Sequence, residues 1–140
     1  MTVYQKIIQS WLAGLSEPAP VASLVGIRLA SFEDGIIRLE LDAGSRHHNP
    51  IGTVHGGILC DMADLAMGTA FAATLEEGEG FTTVQLAANY LRAVKEGLLI
   101  ATGKVIHRGR STGYTECEIV DSKGRMVAKL TSTCMVTRPG

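Results

Sequence analysis

Apolar and polar positions change period several times along this 140-residue chain, and each change marks an element. Ile7, Ile8, Trp11, Leu12 and Leu15 recur at helical spacing, so residues 1–16 are expected as a short amphipathic helix, broken by Gly14 and Ser16-Glu17-Pro18. Between Val25 and Asp42 the period falls to two, with Ile37, Leu39 and Leu41 alternating with Arg38, Glu40 and Asp42. Two strands follow from this, joined at Glu33-Asp34-Gly35, with one face buried and the other wet. Gly57 to Leu75 is apolar or small almost all the way round, which predicts a long central helix wrapped by protein. Alternation returns in Thr82–Val94, Leu98–His107, Thr112–Asp121 and Arg125–Thr137. Lys95-Glu96-Gly97, Arg108-Gly109-Arg110-Ser111 and Ser122-Lys123-Gly124 lie between these segments as turns. Links this short join antiparallel neighbours, because a parallel crossover needs about a dozen residues. The expected fold class is α+β, a single domain over residues 1–140 in which an antiparallel sheet of about six strands curls around one helix.

Composition narrows the function classes. A net charge of −1 and a pI near 6.4 give no long-range field, so neither a nucleic-acid partner nor a membrane surface is expected. No run approaches the ~18 apolar residues of a membrane span, and the first residues lack the apolar stretch of a secretory leader, so the expected compartment is cytoplasmic. Cys60, Cys117 and Cys134 are widely spaced and odd in number, which suits buried small hydrophobes better than disulfides or a zinc site. His47, His48, His55 and His107 lack metal-site spacing, so no metal is expected.

The unusual residues gather between His47 and Asp64, where a polar, glycine-punctuated loop runs into the central helix. At ~100° per residue, Asp61 and Asp64 project within about 60° of each other and share a face with Gly68, Phe71, Ala72 and Leu75. Gly68 leaves room beside the Asp64 carboxylate. At the other end, the first helical N–H groups have no intrahelical acceptor, and Gly56 and Gly57 would let a ligand reach them with no Cβ in the way. An oxyanion there would be stabilised, one such donor being worth about 3 kcal/mol. The arrangement is compatible with attack on an acyl group. It is equally compatible with a glycine-rich turn, a helix acid favoured by the dipole, and a second acid at a subunit surface. His55 is expected to organise the loop around the helix start, with assistance to a carbonyl as the alternative. Gly109-Arg110-Ser111-Thr112-Gly113 matches the nucleophile-elbow pattern, but it sits between two antiparallel strands and reads as a hairpin.

The run Asn49-Pro50-Ile51-Gly52-Thr53-Val54-His55-Gly56-Gly57 followed by Asp64 resembles the signature of hotdog-fold acyl-CoA thioesterases. The resemblance is to the phenylacetate-degradation, PaaI-like group of the 4-hydroxybenzoyl-CoA thioesterase superfamily. It extends over nearly the whole chain through Asn89-Tyr90-Leu91-Arg92-Ala93 and through Arg108-Gly109-Arg110 to Gly124-Arg125-Met126-Val127-Ala128. It implies hydrolysis of an acyl-CoA thioester, with coenzyme A entering as part of the substrate and no separate cofactor. By position it makes Asp64 the general base or nucleophile, the Gly56 N–H the oxyanion donor, and Asn49 a residue that places the thioester or the water. The polar residue from the neighbouring strand falls on Thr83 or Gln85, with Gly57 and Asn89 among the substrate contacts and Arg108 and Arg110 on the coenzyme A phosphates. Each site would be built from two subunits, as a dimer or a homotetrameric dimer of dimers. Asp61 departs from the pattern, which has an apolar or small residue there, and is expected to face the dimer seam or a cationic partner. Phe71, Leu75, Met62 and Met67 are expected to set pocket length. A non-catalytic acyl-CoA or acyl-carrier sensor and a hydratase or dehydratase are the competing readings on the same scaffold.

Overall fold

The structure, a computed structural model, describes residues 1–17 and 19–140; Pro18, one of the expected helix breakers, lies outside them. The first helix, α1 (Val3–Leu12), starts in a capping box, in which Thr2 Oγ1 accepts from the Gln5 N–H at 3.2 Å and Gln5 Oε1 accepts from the Thr2 N–H at 3.0 Å. It stops short of the expected boundary because Gly14 takes a positive φ of 72°, which lets the Leu15 N–H return to the Ser10 carbonyl at 2.9 Å. Ile8 and Trp11 are its buried anchors. A second, unanticipated helix, α2 (Pro20–Val25), occupies residues just before and including the expected start of the first strand. Its signals are Pro20 in the first turn and Gly26 beyond the last, left-handed at φ 97°.

Strands β1 (Arg28–Glu33) and β2 (Ile36–Ala43) form the expected hairpin, and Ile37, Leu39 and Leu41 are all 0% exposed. A short 3-10 turn (Ser45–His47) and a loop lead into the central helix α3 (Gly56–Ala72). This helix ends three residues before Leu75 because its last turn tightens: the Leu75 N–H bonds the Ala72 carbonyl at 3.2 Å, and Thr74 Oγ1 takes the Phe71 carbonyl at 2.7 Å. Then come β3 (Gly80–Tyr90), β4 (Gly97–Arg108), β5 (Thr112–Asp121) and β6 (Met126–Thr137). No helix among the described residues is long and apolar enough to cross a membrane.

The six strands form one antiparallel sheet in the order β1-β2-β4-β5-β6-β3. The short-link rule holds for β4, β5 and β6 but fails for β3 and β4, which are not neighbours. Residues 91–96 do not fold back on β3. Leu91 and Arg92 donate to the Val127 carbonyl at 2.8 and 3.2 Å, and the Val54 N–H donates to Val94 at 2.8 Å, so the link crosses the loop before α3. That crossing puts β4 beside β2 and leaves β3 at the far edge.

The core lies between α3 and the sheet. Gly103 on β4 marks how closely they approach, since a Cβ there would lie 3.0 Å from the backbone of Ala66. The wrapping is incomplete, however. Gly57, Asp61 and Asp64 are exposed and Gly68 is half-buried, forming a bare stripe on α3. Further along the same face Phe71, Ala72 and Leu75 are buried, with Tyr4 and Phe81 packed against their cluster.

Candidate active site

The loop before α3 is held by its own side chains. Asn49 Oδ1 accepts from the Ile51 and Thr53 N–H groups, both at 3.1 Å, and its Nδ2 donates to Thr53 Oγ1 at 2.8 Å. His47 is buried, with Nδ1 accepting from the Gly44 N–H at 3.1 Å and Nε2 bonded to the Val25 carbonyl at 2.7 Å. His48 Nε2 meets the Lys95 carbonyl at 2.7 Å. His55 is the N-cap of α3, and its Nδ1 accepts from the Gly57 N–H at 3.0 Å. The loop-organising expectation for His55 therefore matches the geometry, and the Gly57 donor is occupied. The Gly56 N–H has no acceptor among the described residues, so it is the free donor at this helix terminus.

Gly56 and Asn49 line one cavity, of about 390 Å³, together with Leu59, Tyr90 and Val127. Tyr90 is a wall residue that sequence reasoning did not single out. Its ring packs so closely on Gly56 that a Cβ there would come within 2.8 Å of it. Its hydroxyl pairs with Cys60 Sγ at 3.1 Å, and that bond together with burial pushes the phenol up to about 12. The only sequence signal was the glycine itself, which signals close approach without saying by what.

Asp64 faces a different cavity, a groove of about 270 Å³ that it shares with Gly68, Thr83, Phe81 and one face of α1. Thr83 Oγ1 donates to Asp64 Oδ1 at 3.1 Å, so of the two strand positions named, Thr83 and Gln85, it is Thr83 that meets the helix acid. Behind Thr83 lie buried Cys134, Ser132 and Thr115: Thr83 Oγ1 and Ser132 Oγ are 4.0 and 3.9 Å from Cys134 Sγ, and Ser132 Oγ pairs with Thr115 Oγ1. Burial pushes the Cys134 thiol up. Gln85 and Asn89 lie further along β3, both exposed, opposite Thr133 and Lys129; a bulge between Thr83 and Gln85 breaks the register, and neither side chain bonds to Asp64. Phe71, Leu75, Met62 and Met67 do not line the groove, because each is 2% exposed or less within the core.

The two acids diverge. Asp61 lies in a hollow with Arg46, His48, His55 and Gly57, outside the Asp64 groove, so the two carboxylates do not share one dry cavity. The arginines sit at the opposite end of α3. Arg108 donates from Nε to Thr74 Oγ1 at 3.1 Å, from Nη2 to Glu79 Oε1 at 2.7 Å and from Nη1 to the Gly109 carbonyl, while its guanidinium lies 5.3 Å from the Phe71 ring centroid. Arg138 holds the other oxygen of Glu79 at 2.6 Å. Arg110 is exposed and in no ion pair among the described residues; with Arg108 and Arg138 it lines an open hollow of about 810 Å³. Ser111 sits in the β4–β5 turn, where its carbonyl accepts from Val136 at 2.8 Å, in the hairpin setting expected of it.

Thus one chain brings Asp64 to Thr83 and Asn49 to Gly56, but keeps the two pairs in separate cavities. Comparison with known proteins places this arrangement. A family model described as the thioesterase superfamily matches residues 51–128. The chain is 31% identical to the 1,4-dihydroxy-2-naphthoyl-CoA hydrolase of Listeria monocytogenes, over 74% of its own length and 84% of the relative's. Among solved structures, a phenylacetic acid degradation-related protein of Ralstonia eutropha JMP134 superposes with a TM-score of 0.81 at 32% identity, covering 91% of this chain and 97% of that one. The PaaI protein of the E. coli phenylacetic acid degradation operon gives 0.80 at 26% identity, covering 99% and 97%. With its six-stranded antiparallel sheet around one helix, the chain belongs to the thioesterase superfamily and, within its hotdog fold, to the PaaI-like group.

Proposed function

We propose that this chain hydrolyses acyl-CoA thioesters, with Asp64 activating the attacking water, and that each site is shared by two copies of the chain. The observation that carries this reading is Asp64 itself, an exposed carboxylate held by Thr83 at 3.1 Å on the bare stripe of α3 and at the mouth of an apolar groove. A carboxylate so placed can take the proton from a water as it adds to a carbonyl carbon and return it to the departing thiolate. The developing oxyanion needs a donor, and the Gly56 N–H is the free one.

Within one chain Gly56 and Asp64 stand about 12 Å apart along the helix axis and roughly 80° apart around it, at 1.5 Å and 100° per residue. No single carbonyl spans that separation. The bare stripe and the outer edge of β3, which has no strand partner among the described residues, offer a self-complementary face that would bring Gly56 of one copy to Asp64 of the next. In this arrangement Asn49 shapes the loop that presents Gly56. Arg110, exposed and in no ion pair among the described residues, suits a coenzyme A phosphate. Arg108, already held by Glu79, fixes the turn that carries Arg110.

The test is thiol release from a panel of aryl and medium-chain acyl-CoA substrates. Asp64→Ala and Asp64→Asn are expected to lower kcat by about 100-fold or more, the usual range for a lost general base. Full activity in both variants would remove Asp64 from the mechanism.

A further inference from the structure

We infer that the Tyr90 phenol is a second donor to the acyl oxyanion, beside the Gly56 N–H, with Cys60 as the positioning residue that orients its hydroxyl. The inference rests on the thioester-hydrolase reading and adds to it one catalytic residue and one positioning residue. A Cβ built on Gly56 would lie 2.8 Å from both Cζ and Oη of Tyr90. Because a Cβ stands about 2.5 Å from its own amide nitrogen, the hydroxyl oxygen is at most about 5 Å from the Gly56 nitrogen. Two donors that each sit about 3 Å from one oxyanion can be up to about 6 Å apart, so a single oxygen can accept from both. Both groups belong to one chain, and their spacing does not depend on what a second copy adds to the site.

The hydroxyl has a hydrogen to give. Its oxygen lies 3.1 Å from Cys60 Sγ, and a phenol oxygen can accept from a thiol while donating its own hydrogen elsewhere. Cys60 lies one turn beyond Gly56 on α3, and side chains on a helix lean toward its N-terminus, which brings the sulfur back over that turn. With the phenol pushed up to about 12 by the Cys60 bond and by partial burial, it keeps its proton at neutral pH and stays a donor. The other polar side chains lining the cavity are Asn49, whose carboxamide bonds within its own loop at both atoms, and Arg92. Val54, Leu59, Leu91 and Val127 supply apolar wall, where a donor aimed at developing charge is worth more than in water.

Tyr90→Phe removes the hydroxyl and keeps the ring that packs on Gly56, so it should fold as the parent does. It should lower kcat for octanoyl-CoA by about 100-fold with KM within about threefold, the signature of a bond made in the transition state. Cys60→Ala should lower kcat by about fivefold, and Cys60→Ser, which keeps a donor to the phenol oxygen, should restore it. A readout that needs no turnover is the infrared carbonyl stretch of a carba analogue of octanoyl-CoA, carbon-13-labelled at the carbonyl, with a methylene in place of the thioester sulfur. Bound to the parent, its band should lie at lower frequency than when bound to Tyr90→Phe, because an accepted hydrogen bond weakens the C=O bond. A kcat for Tyr90→Phe within about threefold of the parent's, or a band that the substitution does not move, would overturn the inference. A parent protein that hydrolyses no thioester yet shows the Tyr90-dependent band would instead overturn the hydrolytic reading and leave Tyr90 as a donor to a bound carbonyl.

Discussion

In the proposed mechanism the chemistry turns on Thr83 and Asp64, because the Thr83 hydroxyl donates to one carboxylate oxygen and leaves the other for water. Thr83→Ala should lower kcat/KM by about tenfold, close to the worth of one charge-assisted hydrogen bond, and Thr83→Ser should restore most of it. Equal loss in both variants, measured by thiol release, would mean that shape and not the hydroxyl matters there. Both residues were candidates in the sequence: Asp64 from its face on the helix, and Thr83 as one of two strand positions, with Gln85, that the family resemblance offered. The occupation of neighbouring groups was not legible there. Whether the Gly57 N–H is free depends on where the His55 ring turns, and whether the Asn49 carboxamide is available depends on how its loop closes. Tyr90 was hidden for a related reason, since a glycine at position 56 admits a ligand and a packed ring equally well.

Elements were read most securely where the period was long and uninterrupted. The alternation of Ile37, Leu39 and Leu41 and the apolar run of α3 follow from burial on one face and on most faces. The place of β3 did not follow, because link length constrains which strands can be neighbours without saying which will be. Close packing of α3 on β4 makes a direct prediction. Gly103→Ala should destabilise by about 1–3 kcal/mol, since the added methyl meets helix backbone that cannot give way; a urea midpoint equal to the parent's would contradict this. Acid should loosen the molecule through carboxylates that tie segments together. The Glu76 N–H, then Arg108 and Arg138, hold Glu79 below its ordinary 4.5, and the Arg125 N–H and guanidinium do the same for Asp121, whose ordinary value is 3.8. Lys129 and Lys104 lower Glu116. Each folded pKa is depressed, so the stability these groups contribute is complete above the unfolded values and is lost as pH falls through the folded ones. Urea midpoints should therefore hold above about pH 5 and decline below it, with a shallower decline in Glu79→Gln.

The molecule as a whole is organised around an incompletely covered helix. Sheet and α1 enclose most of α3, and the stripe that stays bare carries Gly57, Asp61 and Asp64 beside the free edge of β3. The sequence pattern showed a helix that wants cover on nearly every side, but it could not show that the chain leaves one stripe of it bare. The separation of the Gly56 and Asp64 cavities is the structural fact that makes the sharing necessary for the proposed chemistry. Mixing two inactive variants tests this most directly. Gly56→Pro removes the oxyanion donor at a first-turn position that accepts proline, after His55 in the extended conformation proline requires, with the Tyr90 ring displaced to make room. Asp64→Asn removes the base. Each alone should be nearly inactive toward octanoyl-CoA. Refolded together in equal amounts, they should recover about a quarter of the parent's thiol release, because half the dimers are mixed and each mixed dimer has one intact site. A mixture no more active than either variant alone, with mixed dimers demonstrably present, would contradict a site built from two copies.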